Sequence, residues 1–527
     1  MGLGRREFVI AGAGAVALSS LGAGCGSDGQ GGGDEATFAH GVASFDPLTD
    51  RVLLWTRVQT TRASETVRWV VASDPELATI VREGEANAAE EADHTVRVDV
   101  DGLSPGTTYY YAFFLGADVR SAVGRTRTLP SDVSHVRLAF TSCANFNNGY
   151  FHAYRNIAKR ADLDVWVHLG DYIYEYAEGE YGDSSLGRLL EPPHETVSLE
   201  DYRARYANYR SDPDLQEIHR QHPCILVWDD HEFANNAYTG GAENHMPSEE
   251  GDWEDRKRAA SQAFLEWLPM RVPDADLPPR IYRSFAFGDL FDLIMLDTRI
   301  VGRDMQSRMN DVVSATDREL LGADQASWLE EQMIESQQRG ATWRLLGNQI
   351  ILSPVLGAPP EIGEDLWNGY PAARQRLFDT WTENGIDNIV VLTGDIHTSW
   401  AAEVIPDPVS YDAENGSTNL GVEFVGTSVT SLGLEEDPDL AAGIPDLLAI
   451  NRHFKFSEVT RKGYVLVDIT PERVQGEWYF VANHKEDTEE AAAEEDAYRY
   501  KCNSGDPRLV EVDDLSAAKA NAPKPAP

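Results

Sequence analysis

Four apolar runs in the 527-residue sequence end abruptly in residues that can bind a cation. Residues 165–176 read V-W-V-H-L-G-D-Y-I-Y-E-Y, a buried strand as far as Leu169 followed by Gly170, Asp171 and a group of tyrosines. Residues 224–236 read C-I-L-V-W-D-D-H-E-F-A-N-N, and residues 388–400 read N-I-V-V-L-T-G-D-I-H-T-S-W. A fourth run, 136–145, ends in T-S-C-A-N. Together they offer Cys143, Asp171, Tyr174, Asp229, Asp230, His231, Asp395 and His397. A phenolate, a thiolate and an imidazole favour a trivalent or borderline ion such as iron. Asp230, Asp395 and Asn236 offer oxygen and favour a hard ion such as calcium or magnesium. The residues therefore point to an asymmetric site of two ion types, with Asp171 as the bridging carboxylate. Taken singly, each has an ordinary role: an Asp caps a turn, a strand-end His is hydrogen-bonded, and Asp229-Asp230 is a solvated turn. Their shared position at strand ends, where open α/β sheets bind ligands, outweighs those readings.

The elements that must position these residues follow an α/β pattern. From about residue 131 apolar strands alternate with helical stretches at 151–160, 253–267, 323–337 and 373–383. Further strands are expected at 291–296 and 343–351, and a closing hairpin at 464–469 and 474–481. Residues 37–130 read as an all-β sandwich, with strands at 51–59, 67–72 and 96–100. A Leu-x-Pro-Gly-Thr turn then leads into a Tyr-rich strand, where Tyr109, Tyr110 and Tyr111 read as core and corner residues. The acidic, Gly-rich stretch 177–200 is long enough to be a lid over the site. Residues 485–527 read as an acidic, partly disordered tail.

The formal net charge of −42 excludes nucleic-acid binding through a basic patch. It also repels anionic substrates unless bound ions make the site positive. Arg5 and Arg6 precede an apolar run through Leu18, so residues 1–24 read as a twin-arginine-type export signal. The mature protein is then periplasmic, on the cell surface or secreted. A Gly-rich linker, 25–36, follows. L-G-A-G-C resembles a lipoprotein box with Leu21 one position early, so a lipid on Cys25 is an open alternative and the one membrane attachment expected. Cys143, Cys224 and Cys502 do not make a disulfide framework, although a Cys224–Cys502 pair is conceivable. A monomer is expected.

The order G-D-Y-I-Y, W-D-D-H-E and T-G-D-I-H-T-S-W resembles the calcineurin-like metallophosphoesterases, above all their PhoD branch of alkaline phosphatases and phosphodiesterases. Supporting stretches include H-G-V-A-S-F-D-P at 40–47, L-G-N-Q at 346–349 and E-F-V-G-T-S-V-T-S at 423–431. The resemblance runs from about His40 to Val481. It implies a metallophosphoesterase-like β-sheet sandwich flanked by helices over 131–484, behind a fibronectin III or purple-phosphatase-like sandwich. It implies that Cys143, Tyr174 and His397 hold Fe3+, that Asp171 bridges, and that Asp230 and Asp395 suit Ca2+ better than zinc. Asp230 stands where the general family has Asn, Asp395 where it has His, and C-A-N replaces the opening D-x-H. His231 matches the histidine that contacts substrate or leaving group.

The expected activity is hydrolysis of small-molecule or lipid phosphoesters, by attack of an ion-activated hydroxide that releases phosphate. His231 is the candidate proton donor to the leaving group. Arg299, in L-D-T-R, either clamps phosphate or pairs with Asp297 or Asp304. The competing readings are a phosphodiesterase or phospholipase-D-like enzyme on lipid or teichoic-acid diesters, a non-catalytic binding protein, and a dinuclear peptidase. The Cys143 and Tyr174 pair argues against the peptidase.

Overall fold

A computed structural model describes residues 36–272 and 277–527. The expected export signal, a lipid on Cys25 and the linker up to residue 35 lie outside the described residues. Two groups of parallel strands carry the site. In one, Val136–Thr141, Val165–His168, Pro223–Leu226 and Val42–Phe45 lie side by side. In the other, the neighbours are Phe291–Met295, Trp343–Asn348, Ile389–Thr393 and Gly421–Val425. Both groups read as continuous apolar runs because both faces of each strand are covered. Antiparallel strands extend them into a ten-stranded and a seven-stranded sheet. One core joins the two sheets, with Leu138, Val167 and Trp478 on one side and Leu345, Val390 and Phe424 on the other. Trp478 meets Phe424 edge-on at 5.5 Å across that core. The expected sandwich is therefore present.

Helices cover the outer faces. Trp253–Trp267 buries Trp253, Ala260, Phe264 and Trp267, a spacing of three, four and seven that makes one apolar stripe. Leu199–Tyr209 begins at a capping box in which Ser198 accepts from the Asp201 backbone and Asp201 accepts from the Ser198 backbone. Gly322–Arg339 and Pro371–Glu383 match the helices expected on the second sheet within two residues at each end.

The N-terminal β region is a sandwich, but its larger sheet is shared. Val42–Phe45, Val52–Arg57 and Thr95–Val100 continue the ten-stranded sheet, with Val42–Phe45 pairing in parallel with Pro223–Leu226. The smaller sheet, built on Ser64–Ala72, Ile80–Ala89 and Thr108–Leu115, packs over it through Leu54, Val71, Tyr111 and Phe113. Tyr109, Tyr110 and Tyr111 are buried as expected, and the Tyr109 hydroxyl accepts from the Ser104 backbone at 2.9 Å to tie the corner.

Two expectations need correction. The segment after 484 is not a free tail. Glu494–Asn503 pairs with Arg473–Val481, and Asp506–Glu511 pairs with Glu494–Asn503 in turn, so the hairpin is not the last element. Tyr498 and Tyr500 pack on Phe456, and Tyr500 also meets Trp478. A Cys224–Cys502 bridge is also absent: both thiols are free and buried. Their strands stand five steps apart in the sheet order, roughly 24 Å at about 4.8 Å per step.

A chain ended after Asp487 loses both late strands. Uncovering Phe456 and Trp478 alone removes roughly 3–6 kcal/mol, two side chains at about 1.5–3 each. Thermal unfolding is expected to shift down by about 3–6 °C or the chain to become insoluble; an unchanged transition contradicts this role.

Candidate metal centre

Both parallel groups end at the same edge, and their last turns are tight. Cys143, Asp171, Asp395 and His397 adopt φ values of 61, 56, 63 and 59°, left-handed conformations that non-glycine residues seldom take. Such strain costs about 1–3 kcal/mol per residue and is kept where the surroundings over-determine it. Glycine makes the close approaches possible. A Cβ on Gly170 would lie 2.4 Å from the Asp229 backbone nitrogen, and one on Gly394 would lie 2.6 Å from Ser142 Oγ. The strand ends thus touch, and the side chains beyond them converge.

Three groups of ligand-capable atoms result, each with all its atoms within 4.8 Å of one another: Cys143, Asp171 and His397; Asp171, Asp230 and His231; and Asp229, Asp230 and Asp395. Asp171 belongs to the first two, and Asp230 links the second to the third. The Tyr174 hydroxyl donates to Asp171 Oδ2 at 3.0 Å, accepts from Ser431 Oγ at 2.7 Å and lies 3.1 Å from His397 Nε2. His397 Nδ1 donates to the Leu432 carbonyl at 2.5 Å, which leaves Nε2 as the ligand nitrogen. Burial lowers His397 to about 3, so it stands as the neutral imidazole a cation needs.

The centre is rich in acid. Burial first, then neighbouring carboxylates, pushes Asp171 and Asp395 well up from the ordinary range, and burial with Asp171 does the same to the Cys143 thiol. Asp229 Oδ2 and Asp230 Oδ1 are buried with no hydrogen-bond partner. Buried carboxylate oxygens without a hydrogen bond are what a bound cation satisfies. The donor set therefore fits a soft-to-trivalent ion on Cys143, Asp171, Tyr174 and His397, and a hard one among Asp171, Asp229, Asp230 and Asp395.

Two expected site residues have other roles. Arg299 is not open to a phosphate. It is fully buried, Nε donates to Asp229, Nη1 to both oxygens of Asp365 at 2.8 Å, and Nη2 to Asp395 Oδ1 at 2.5 Å. Its salt-bridge partners are these three and Asp230, whose Oδ1 lies 3.7 Å from Nη2, and not the side chains of Asp297 or Asp304. Asn236 points its amide at Glu243 Oε2, 2.5 Å away, and supports Asp230 only through its backbone N–H. Its side chain does not join the cluster.

Other residues were not singled out from sequence. Glu232 is buried and accepts from the backbones of Asp171, Tyr172 and Asp229, so it braces two strand ends. Glu175 accepts from His231 Nδ1 at 2.7 Å and from Asn235 N at 2.7 Å. Burial alone would raise Glu175, but His231 holds it down at about 2. Burial opposes the charge on His231, yet Asp230, Glu175 and Asp171 keep it well above the usual imidazole range. The signal was there: both glutamates sit inside the G-D-Y-I-Y-E and D-D-H-E motifs.

Fold and centre together are those of a metallophosphoesterase-like sandwich. The chain belongs to the PhoD-like phosphatase family: the family model matches residues 138–478, and the family's N-terminal domain matches residues 24–130. Alkaline phosphatase D of Bacillus subtilis (strain 168) is 37% identical over 466 residues, covering 84% of this chain and 77% of that protein. A solved structure of PhoD superposes with a TM-score of 0.82 at 34% identity, covering 91% of this chain and 93% of that one.

Glu175→Gln keeps shape and removes charge. Turnover is expected to fall about 10–100-fold. His231 also loses a carboxylate that raises it, so the alkaline limb of the pH profile should move to lower pH; an unmoved limb contradicts the pairing. Arg299→Ala leaves four carboxylates, Asp229, Asp230, Asp365 and Asp395, without their cation. A loss of about 3–5 kcal/mol in denaturant unfolding is expected, and a loss under 1 kcal/mol would contradict the account.

Proposed function

We propose that the chain is an exported, metal-dependent alkaline phosphatase that releases inorganic phosphate from organic phosphate esters. The observation that carries this is the convergence of three ligand groups through Asp171 and Asp230, with buried carboxylate oxygens left unpaired. Fe3+ on Cys143, Asp171, Tyr174 and His397, with Ca2+ among Asp171, Asp229, Asp230 and Asp395, supplies Lewis acidity and the positive charge that draws phosphate to an acidic protein.

The chain's own groups do the rest. Glu175 fixes the His231 ring through Nδ1, and Tyr174 stacks on it at 4.2 Å between ring centres. The remaining nitrogen, Nε2, is the proton donor to the departing oxygen. Arg299 holds Asp229 and Asp395 apart from one another's charge and keeps both aimed at the cluster. Tyr181, from the 177–200 stretch, lies over the site: its ring is 5.6 Å from Tyr174 and 5.2 Å from Tyr176, and its carbonyl accepts from Asn145 at 3.4 Å. A covered site of this kind favours monoesters over the bulkier diesters of the competing reading. Export rests on Arg5, Arg6 and the apolar run after them, with a lipid on Cys25 as the variant. Among the described residues no helix is long and apolar enough to cross a membrane.

The test is hydrolysis of 4-nitrophenyl phosphate against bis(4-nitrophenyl) phosphate, with and without a calcium chelator. Chelator-sensitive cleavage dominated by the monoester is expected. Dominant diester cleavage selects the phosphodiesterase reading. A visible absorption band should accompany activity, shift in Tyr174→Phe and be lost on reduction; its absence from active, metal-replete protein removes ferric iron.

A further inference from the structure

Beside the cluster the surface turns apolar. Ile396 stands between Asp395 and His397, and all three are only partly buried. Ile396 lines a cavity of about 100 Å³, together with Ala358, Leu434 and the inner residues of the helix Pro438–Ile450. Leu434 lies two residues past Leu432, whose carbonyl holds His397. The cavity thus shares its wall with the turns that present the metal ligands. Its two polar lining side chains are already engaged. Thr398 Oγ1 accepts from Trp400 Nε1 at 2.7 Å, and Asn451 bonds the backbone N and O of Leu356, both at 2.8 Å. A guest hydroxyl placed there loses water and gains no partner.

The helix over the cavity turns its apolar face toward it. It reads P-D-L-A-A-G-I-P-D-L-L-A-I, and only Ile444 is fully buried. Asp439 and Asp446, seven residues apart, share its outer face, and the opposite face carries Leu440, Ile444 and Leu447 over the cavity. At its end Ile450 is 54% exposed. A second hollow formed by the same three residues with Pro359 and Ile450 carries the apolar lining outward.

We infer that this cavity is a specificity subsite for an apolar aryl or short branched alkyl group on the phosphoester. The inference rests on the phosphatase reading and adds to it the class of group next to the phosphate. Polyhydroxylated groups such as sugars and glycerol are excluded from the cavity by its engaged polar atoms.

The experiment uses the metal-replete full chain and two monoesters whose leaving phenols have closely similar acidity, 4-isopropylphenyl phosphate and 4-(hydroxymethyl)phenyl phosphate. The isopropyl ester is expected to have a kcat/KM about 10- to 50-fold higher, mostly through KM, from burial of three apolar carbons. Ala358→Phe fills the cavity and should abolish that preference, lowering kcat/KM for the isopropyl ester far more than for the hydroxymethyl ester. Leu447→Ala should extend the preference to larger para substituents. As a reading independent of turnover, 4-isopropylphenol should raise the Tm of the wild type and not of Ala358→Phe. Equal hydrolysis of both esters, unaltered by Ala358→Phe, overturns the subsite and leaves the phosphatase reading standing. Hydrolysis of neither overturns both. Should Ala358→Phe not fold, a preference in Leu447→Ala that extends to larger para substituents supports the subsite, and one unaltered from the wild type overturns it.

Discussion

The constraint on which the structure depends is the holding of buried acids together. Asp171, Asp229 and Asp230 are buried and converge with the partly buried Asp395, with Glu175 and Glu232 immediately behind them. Left alone, such a group would neutralise itself by protonation or push apart. The fold supplies three answers. Arg299 lies among the carboxylates and is itself locked by Asp365, which Arg303 also pins. Burial opposes the charge on Asp365, but Arg299 and Arg303 hold it down at about 2. Backbone N–H groups from two strand ends converge on Glu232. The remaining oxygens are left for cations. The left-handed turns and the glycines that let strand ends touch are consequences of the same need.

Much of the centre was legible because parallel strands covered on both faces leave unbroken apolar runs, so the residue where each run stops is conspicuous. That is how Cys143, Asp171, Asp230, Asp395 and His397 stand out before any coordinates. Less legible were roles decided by long-range contacts. Arg299 beside L-D-T reads either as a phosphate clamp or as a salt-bridge partner of a nearby aspartate, and only its four sequence-distant carboxylate partners show it to be a positioning residue. Asn236 follows a ligand motif closely enough to be counted with it, but the left-handed turn at its own φ of 54° sends the amide to Glu243. Glu175 and Glu232 lie inside the motifs themselves, but nothing local tells a buried brace from a solvated end.

The same division holds for the fold. The helix at Trp253–Trp267 follows from its own spacing. The parallel seating of Val42–Phe45 beside Pro223–Leu226 joins segments far apart in sequence, and no local pattern encodes it. The acidic flank after residue 485 masked a strand signal that was present: A-Y-R-Y-K-C alternates, with Tyr498, Tyr500 and Cys502 on one face and charge on the other. Composition overrode periodicity there, and periodicity was the better guide.

The central claim is that Asp171 joins two different ion sites into one centre. It is tested most directly by the metal content of purified wild-type and Asp171→Asn proteins, by elemental analysis. The account predicts iron and calcium together in the wild type and a substantial loss of both in the variant. Loss of one ion with full retention of the other would contradict a shared carboxylate, as would a wild-type protein that carries a single kind of ion.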